Sequence, residues 1–386
     1  MFFSLDAAFY VIYVLAGLMA IMSSIIIGIK VRKKQLHKKT QKVMQRYQSY
    51  FTYLTQQLDA KEPLEVPKSE LTTFEKKVFQ RELVERLERL SGNQRDKLIQ
   101  LCNDLGLKEF NMKRLKSGRH YVRLEAAYNL GAMRAKEAVP SLCKMLYKNK
   151  KDSTRFIVAR SIAQTATSTG QINDMIHYLA KDQENNYQLI VDIAQESDLD
   201  LSGAFISLLK ESNPELTKVG LFGLRHQPDS EIHSILRPHL DSKDFDIRTN
   251  TAKLMVASGQ CSQKEMEQFM KFKDEEVRLY TGEWIGQAGM RQYQEVLELG
   301  VQDKNQQVAR TSAKSLSQLG ESGFRTLCKL AVSNLSNGTV AFEAVHEHLK
   351  ESAAGYATNR KIADYNQKLS IYETYFGKDQ QLIDAM

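Results

Sequence analysis

A repeat constrains this chain more than any other feature. DEEVRLYTGEWIG begins at Asp274, and thirty residues earlier stands DFDIRTNTAKLMV. With Val277 as a unit start and one residue of slippage, equivalent starts fall at Val122, Thr154, Asn185, Leu216, Ile247, Val277 and Val308, at intervals of 30 to 32 residues. Five residues after each start come Ala127, Ala159, Ile190, Leu221, Ala252, Gly282 and Ala313, none of them polar. Eight residues after come Leu130, Ile162, Ile193, Leu224, Met255, Ile285 and Leu316, all apolar. The start column follows from the choice of register, but the other two columns do not.

Offsets of 0, 4, 5 and 8 lie on one stripe of a helix, and small residues in the middle of the stripe let a neighbouring helix approach closely. After a short turn each such helix is followed by a second apolar-periodic segment, as in Val139, Leu142 and Leu146, or Phe324, Leu327 and Leu330. A helix pair recurring every 31 or so residues predicts an α-solenoid, in which no unit buries its own apolar face and each relies on its neighbours. Composition agrees: 386 residues with 42% hydrophobic content can build a large core, and only 20 Gly and 6 Pro suit long helices better than many strands. Cys102, Cys143, Cys261 and Cys328 form no CxxC pair and read as buried core thiols of a reducing compartment.

Ahead of the repeats, residues 7–29 (AAFYVIYVLAGLMAIMSSIIIGI) run without a charge. At 1.5 Å per residue they span roughly 34 Å, enough for a hydrocarbon core of about 30 Å. No basic residue precedes them, which favours a retained transmembrane helix over a cleaved signal peptide. Lys30, Arg32, Lys33, Lys34, Lys38 and Lys39 follow at once, as a membrane-surface cluster that places the N-terminus outside and the rest in the cytoplasm. Residues 1–50 carry +7 of the formal +8, so the basic balance belongs to this run and does not indicate nucleic-acid binding.

Val43, Tyr47, Tyr50, Leu54 and Leu58 then recur at helical spacing until Pro63 and Pro67. This stripe suits self-pairing, a strip lying on the membrane, or a partner-docking face. A charged helix is expected from Ser69 to Leu90, with Phe74, Val78, Leu83 and Leu87 turned inward.

YVRLEAAYNLGAMRAKEAVPSL, starting at Tyr121, together with DIRTNTAKLMV and EVRLYTGEWIG, resembles the bacterial HEAT-like repeats of phycobilisome lyases, whose core reads V-R-x-x-A-A-x-x-L-G. The resemblance covers about two thirds of the chain, and it speaks to fold far more than to activity. It implies a ladder between adjacent repeats, formed by the Asp before the V-R dipeptide and by the Arg itself. Asp246 with Arg248 and Asp274 with Arg278 match that pattern, whereas Val308 is followed by Ala309. Arg123, Arg155, Arg248 and Arg278 are therefore read as mainly structural. The resemblance also admits a bilin-lyase-like or other HEAT-fold enzyme.

No P-loop, GxGxxG, GxSxG or HExxH motif is present, and His346 and His348, at i,i+2, face apart on a helix. No catalytic residue, metal site or cofactor is expected. Residues 108–160 carry fourteen positive charges against four negative, whereas residues 161–386 sum to −8. The densest cluster holds Lys113, Arg114, Lys116, Arg119 and Arg123, either a solvated helix end or a contact for an anionic surface or partner.

The expectation is an all-α protein, an α-solenoid of about seven to eight HEAT-like hairpins behind a transmembrane helix. Its organisation is an extracytoplasmic N-terminus (1–6), a membrane span (7–29), a basic juxtamembrane amphipathic helix (30–62) and a linker with a capping helix (63–93). The solenoid (94–349) and a C-terminal capping helix and tail (350–386) complete it. The expected role is a single-pass inner-membrane scaffold, not an enzyme, that binds a membrane-associated protein and no nucleic acid. An accessory subunit of a membrane-embedded enzyme, such as a polysaccharide-synthesising glycosyltransferase, is the alternative.

Overall fold

The computed structural model describes residues 5–60, 62–148, 153–182, 185–225, 232–333, 337–353 and 359–377. The outermost N-terminal residues and the tail beyond residue 377 lie outside this set. Among the described residues the chain is all helical. It divides into two units, Met1–Met175 with Glu196–Asp198, and Ile176–Gln195 with Leu199–Met386.

The first unit holds α1 (Leu5–Arg46), α2 (Gln48–Gln57), α3 (Thr73–Leu87), α4 (Gly92–Asp104), α5 (Leu107–Leu115), α6 (His120–Ala132), α7 (Val139–Lys148), α8 (Arg155–Thr165) and the start of α9 (Thr169–Leu179). Within α1 the stretch Ile12–Arg46 is long and apolar enough to cross a membrane, and none of its apolar window is buried. That exposure excludes the core helix of a soluble domain. The helix breaks at Tyr47, whose side chain is buried.

The stripe that follows finds its partner inside the chain, which corrects the three uses expected of it. Tyr47, Phe51, Leu54 and Leu58 enter one apolar cluster with Phe79, Leu83, Leu87, Leu98 and Leu101. The Phe79 ring stands 4.8 Å from Tyr47 and 5.0 Å from Phe51. Tyr50 donates to the Glu65 carbonyl at 2.7 Å and Tyr53 accepts from the Glu65 N–H at 3.2 Å, strapping the proline segment down. Helix α3 begins at Thr73, later than expected, because Thr72 and Glu75 form a capping box that fixes the start.

The second unit continues with α10 (Tyr187–Ala194), α11 (Ser202–Leu208), α12 (Pro214–Gly223), α13 (His233–Leu236), α14 (Phe245–Ala257), α15 (Gln263–Met270), α16 (Glu275–Gln287) and α17 (Gln294–Val301). Four more helices, α18 (Gln306–Gln318), α19 (Glu321–Val332), α20 (Gly338–Ala353) and α21 (Asn359–Phe376), complete it. The seven first helices of the repeats are α6, α8, α10, α12, α14, α16 and α18. Every residue of the two dependent columns is buried, Leu224 at the C-cap of α12 and the others within these helices. The start column is weaker, since Asn185 is exposed and Tyr187, where α10 begins, is buried in its stead.

Glycine in the L-G step of the motif has a steric reason. A Cβ on Gly131 of α6 would stand 2.8 Å from the Ser161 Cα of α8, so only glycine lets these backbones close up. Gly286 of α16 faces Ser315 of α18 in the same way, with the Ser315 Cα at 2.9 Å.

In three of the repeats the arginine after the start anchors the turn before its own helix. Arg123, Arg248 and Arg278 each donate through Nη1 to the carbonyls six and five residues back: Ser117 and Gly118, Ser242 and Lys243, Phe272 and Lys273. In the second unit the other edge of the guanidinium reaches the next repeat. Arg248 holds Asp274 at 2.6 and 2.9 Å, and Arg278 holds Asp303 at 2.6 and 3.2 Å. The rung before these is Lys218 with Asp244, at 3.0 Å. Asp244 is therefore the ladder acid, and the expected Asp246 is not. The N-cap position turns its carboxylate back toward the preceding repeat, whereas Asp246 already lies within the first turn of α14. Arg248 holds the Asp274 carboxyl below the usual carboxylate range. Arg155 is 3% exposed, with its guanidinium over the Phe156 ring.

Candidate anion-binding groove

Helix α7 presents two stripes. Val139, Leu142 and Leu146 turn inward and are buried, so Ser141, Lys144, Met145 and Lys148, at i, i+3, i+4 and i+7, share the opposite face. This face, the end of α5 and the first turn of α6 enclose a groove of ≈ 600 Å³ lined by Leu115, Lys116, Arg123, Ser141, Lys144, Met145 and Lys148. Leu115 and Met145 supply apolar surface and Ser141 a hydroxyl. Four cations complete the lining, and among the described residues no acid joins them.

Of the five residues expected to meet an anionic surface or partner, the structure brings Lys116 and Arg123 into the groove. Lys113 and Arg119 are exposed but do not line it. Arg114 is engaged internally, with Glu125 and Asn111, and lies over the Phe110 ring. Lys144 and Lys148 were not anticipated from sequence. Their signal was the stripe at 141, 144, 145 and 148, complementary to the buried one, but its importance emerges only when α5 and α6 close the other wall. Lys30, Arg32, Lys33, Lys34, Lys38 and Lys39 are all exposed on α1.

A second cavity in the same unit, of ≈ 340 Å³, shows a different balance. Its lining holds Arg95, Arg134 and Arg160 together with Glu88 and Glu196. There Arg160 pairs with Glu196 at 2.6 Å, and Arg134 donates to the Gln164 and Glu196 carbonyls at 2.9 and 2.7 Å. Asp198 beside that lining pairs with Arg95 at 3.2 Å and Arg134 at 3.5 Å, so the three arginines there are matched by three acids, whereas the groove's cations meet none among the described residues. Like unit charges about 10 Å apart in water repel by about 0.4 kcal/mol, so each cation without a partner mildly opposes folding until an anion joins it.

Among the described residues no three His, Cys, Asp or Glu side chains stand where they could share a metal ion. His346 meets Tyr372 at 3.2 Å, while His348 meets Ser317 and Lys368 at 3.2 and 2.8 Å. The Cys102, Cys261 and Cys328 thiols are pushed up to about 12 by burial. Cys143 is only half-buried, unlike the core position expected for it.

The sequence profile of the PBS lyase HEAT-like repeat family matches residues 122–148, the stretch that carries α6 and α7. Residues 122–148 are a HEAT-like repeat, and the all-helical fold carries HEAT-like repeats. No curated protein matches the sequence of this HEAT-repeat chain. Among solved structures it is similar to an engineered protein, at 15% identity over 79% of this chain and 97% of that one, with a TM-score of 0.37. The YibA protein of Escherichia coli is similar at 13% identity over 74% and 99%, with a TM-score of 0.31. The complex of CpcE and CpcF of phycocyanin lyase from Nostoc follows at 14% identity over 68% and 94%, with a TM-score of 0.24. All three scores lie below 0.5, so the HEAT assignment rests on the repeats themselves.

Proposed function

We propose that this HEAT-repeat protein is a membrane-tethered cytoplasmic scaffold that grips a protein partner in or at the same bilayer, and that it binds rather than catalyses. The observation that carries this reading is the stretch Ile12–Arg46, whose apolar window has no protein covering it, fused at Tyr47 to the core of a repeat array. An uncovered apolar rod needs lipid, and repeat arrays present long surfaces suited to gripping another chain. The basic run after residue 29 supports a cytoplasmic array.

The test is photo-crosslinking in intact membranes, with the crosslinker at exposed array positions such as Tyr121 and Tyr147. One discrete membrane-protein adduct, lost when residues 1–29 are replaced by a soluble domain, is expected. An array that forms the same adduct without its apolar rod, or none with it, refutes the tethered scaffold.

A further inference from the structure

The repeats provide an internal comparison for Arg123. Arg248 and Arg278 occupy the equivalent position, make the same Nη1 bonds to the preceding turn, and use Nε and Nη2 to hold both oxygens of a carboxylate. Those acids stand three residues before the next start, as Asp274, or five before it, as Asp303. Ahead of Thr154 the same two positions carry Lys151 and Asn149, and Asp152, two residues before Thr154, lies with them outside the described residues. Among the described residues the Arg123 Nε has no hydrogen-bond partner, and Nη2 meets only the His120 ring, at 3.5 Å. An edge that takes a two-oxygen anion in two later repeats thus meets no carboxylate among the described residues, on a groove that also holds Lys116, Lys144 and Lys148.

We propose that this groove seats the phosphate of an anionic phospholipid headgroup, with the Arg123 edge holding two phosphate oxygens and the three lysines neutralising the rest. Phosphate matches the fork geometry of a guanidinium, and the lysines add charge without fixed direction. Leu115 and Met145 supply an apolar floor for the glycerol and the first carbons of the chains, which a free phosphate ion would leave uncovered. The lipid as source rests on the proposed membrane tether. The anion site itself does not.

The experiment uses the full chain in neutral detergent micelles, so that its outcome does not depend on whether α1 spans a bilayer. Dihexanoyl phosphatidylglycerol, dihexanoyl phosphatidylcholine and sodium phosphate are titrated separately, with binding followed by calorimetry and by amide hydrogen exchange. The expected result is saturable binding of the phosphatidylglycerol, at least tenfold tighter than either competitor, with slowed exchange confined to α6 and α7. Lys144→Gln with Lys148→Gln should weaken it at least tenfold and leave helicity intact, because both residues are exposed and the packing stripe of α7 is untouched. Arg123→Lys, which keeps the charge and removes the fork, should weaken it several-fold. Phosphate binding as tightly as the lipid would overturn the lipid assignment in favour of a free phosphate. Tighter binding of a polyglutamate peptide at the same groove would overturn it in favour of an acidic protein segment. Lipid binding unmoved by the lysine pair, or none at millimolar lipid, would overturn the site.

Discussion

Removing Arg278 tests whether the ladder holds the array together. The side chains of Arg278 and Asp303 are 7% and 9% exposed. Breaking such a pair by deleting one member leaves the other charge buried, which costs about 3 to 5 kcal/mol. Arg278→Ala also removes the two bonds to the Phe272 and Lys273 carbonyls, whereas Asp303→Ala leaves them intact. The arginine variant should therefore lose about 2 kcal/mol more than the aspartate variant, at a typical net value of about 1 kcal/mol for each of the two bonds. A repeat array need not unfold in a single step, so a global midpoint is the wrong measure. Amide exchange in α16 and α18 reports the local opening instead. At about 1.4 kcal/mol per factor of ten, the Arg278 variant should speed exchange there by at least 100-fold. Arg325, paired with Glu321 but with both side chains about half exposed (50% and 47%), is the control; Arg325→Ala should change exchange by less than threefold. Replacing both ladder partners by apolar residues, Arg278→Met with Asp303→Leu, should recover most of the loss except the share due to the two carbonyls. If Arg278→Ala is no worse than Arg325→Ala, the ladder is an ornament of the crossing and contributes nothing to its stability.

Burial, reinforced by the Lys368 ammonium, holds His348 at about 4, below its usual 6.5. The unfolded chain therefore binds the proton more readily, so the stability that His348 contributes is complete above pH 6.5 and falls as the pH drops toward 4, by about 3 kcal/mol at most. Exchange of α20 and α21 across that window, compared with His348→Gln, measures it; equal pH profiles would show that His348 plays no part. Gly131→Ala should destabilise the contact of α6 with α8 by about 1 to 3 kcal/mol through overpacking, whereas Gly118→Ala, with nothing within 4 Å, should be neutral by the same exchange assay. Leu18→Lys with Met19→Glu should release the protein from carbonate-washed membranes, since each central charge costs about 2.5 to 3.5 kcal/mol on insertion scales. A variant that still sediments would falsify the spanning helix.

Much of the fold was legible because the repeat writes its packing as columns. Ala127, Ala159 and Ala252 could be read as close-approach positions without knowing what approached, and the Leu130 to Leu316 column could be read as core. Relations that depend on a turn or a distant partner were not legible. The ladder acid was assigned to Asp246, and only the position of the N-cap shows that Asp244 faces the preceding rung. The stripe from Val43 to Leu58 advertised an apolar face, yet Phe79 and Leu98 that cover it lie tens of residues away in sequence. The groove was half visible. Lys116 and Arg123 stood out within a dense cluster, but Lys144 and Lys148 are ordinary solvent-facing lysines until a second helix supplies the facing wall.

The junction at Tyr47 makes the apolar rod a lever and not a leash. With Tyr47 and Phe51 set in the core, and Arg46 on Glu75 at 3.2 Å, no loose joint separates α1 from the first hairpins. A head on a flexible cord samples a broad cap of space, and its local concentration at any one docking point is diluted accordingly. A head on a stiff arm visits only what the tilt of the arm allows, and membrane helices tilt by about 20° on average. For the membrane-tethered scaffold proposed above, a partner would have to offer its binding face at one height and within a narrow arc, and a few glycines spliced in after Arg46 would change how often the two meet without touching a single contact between them.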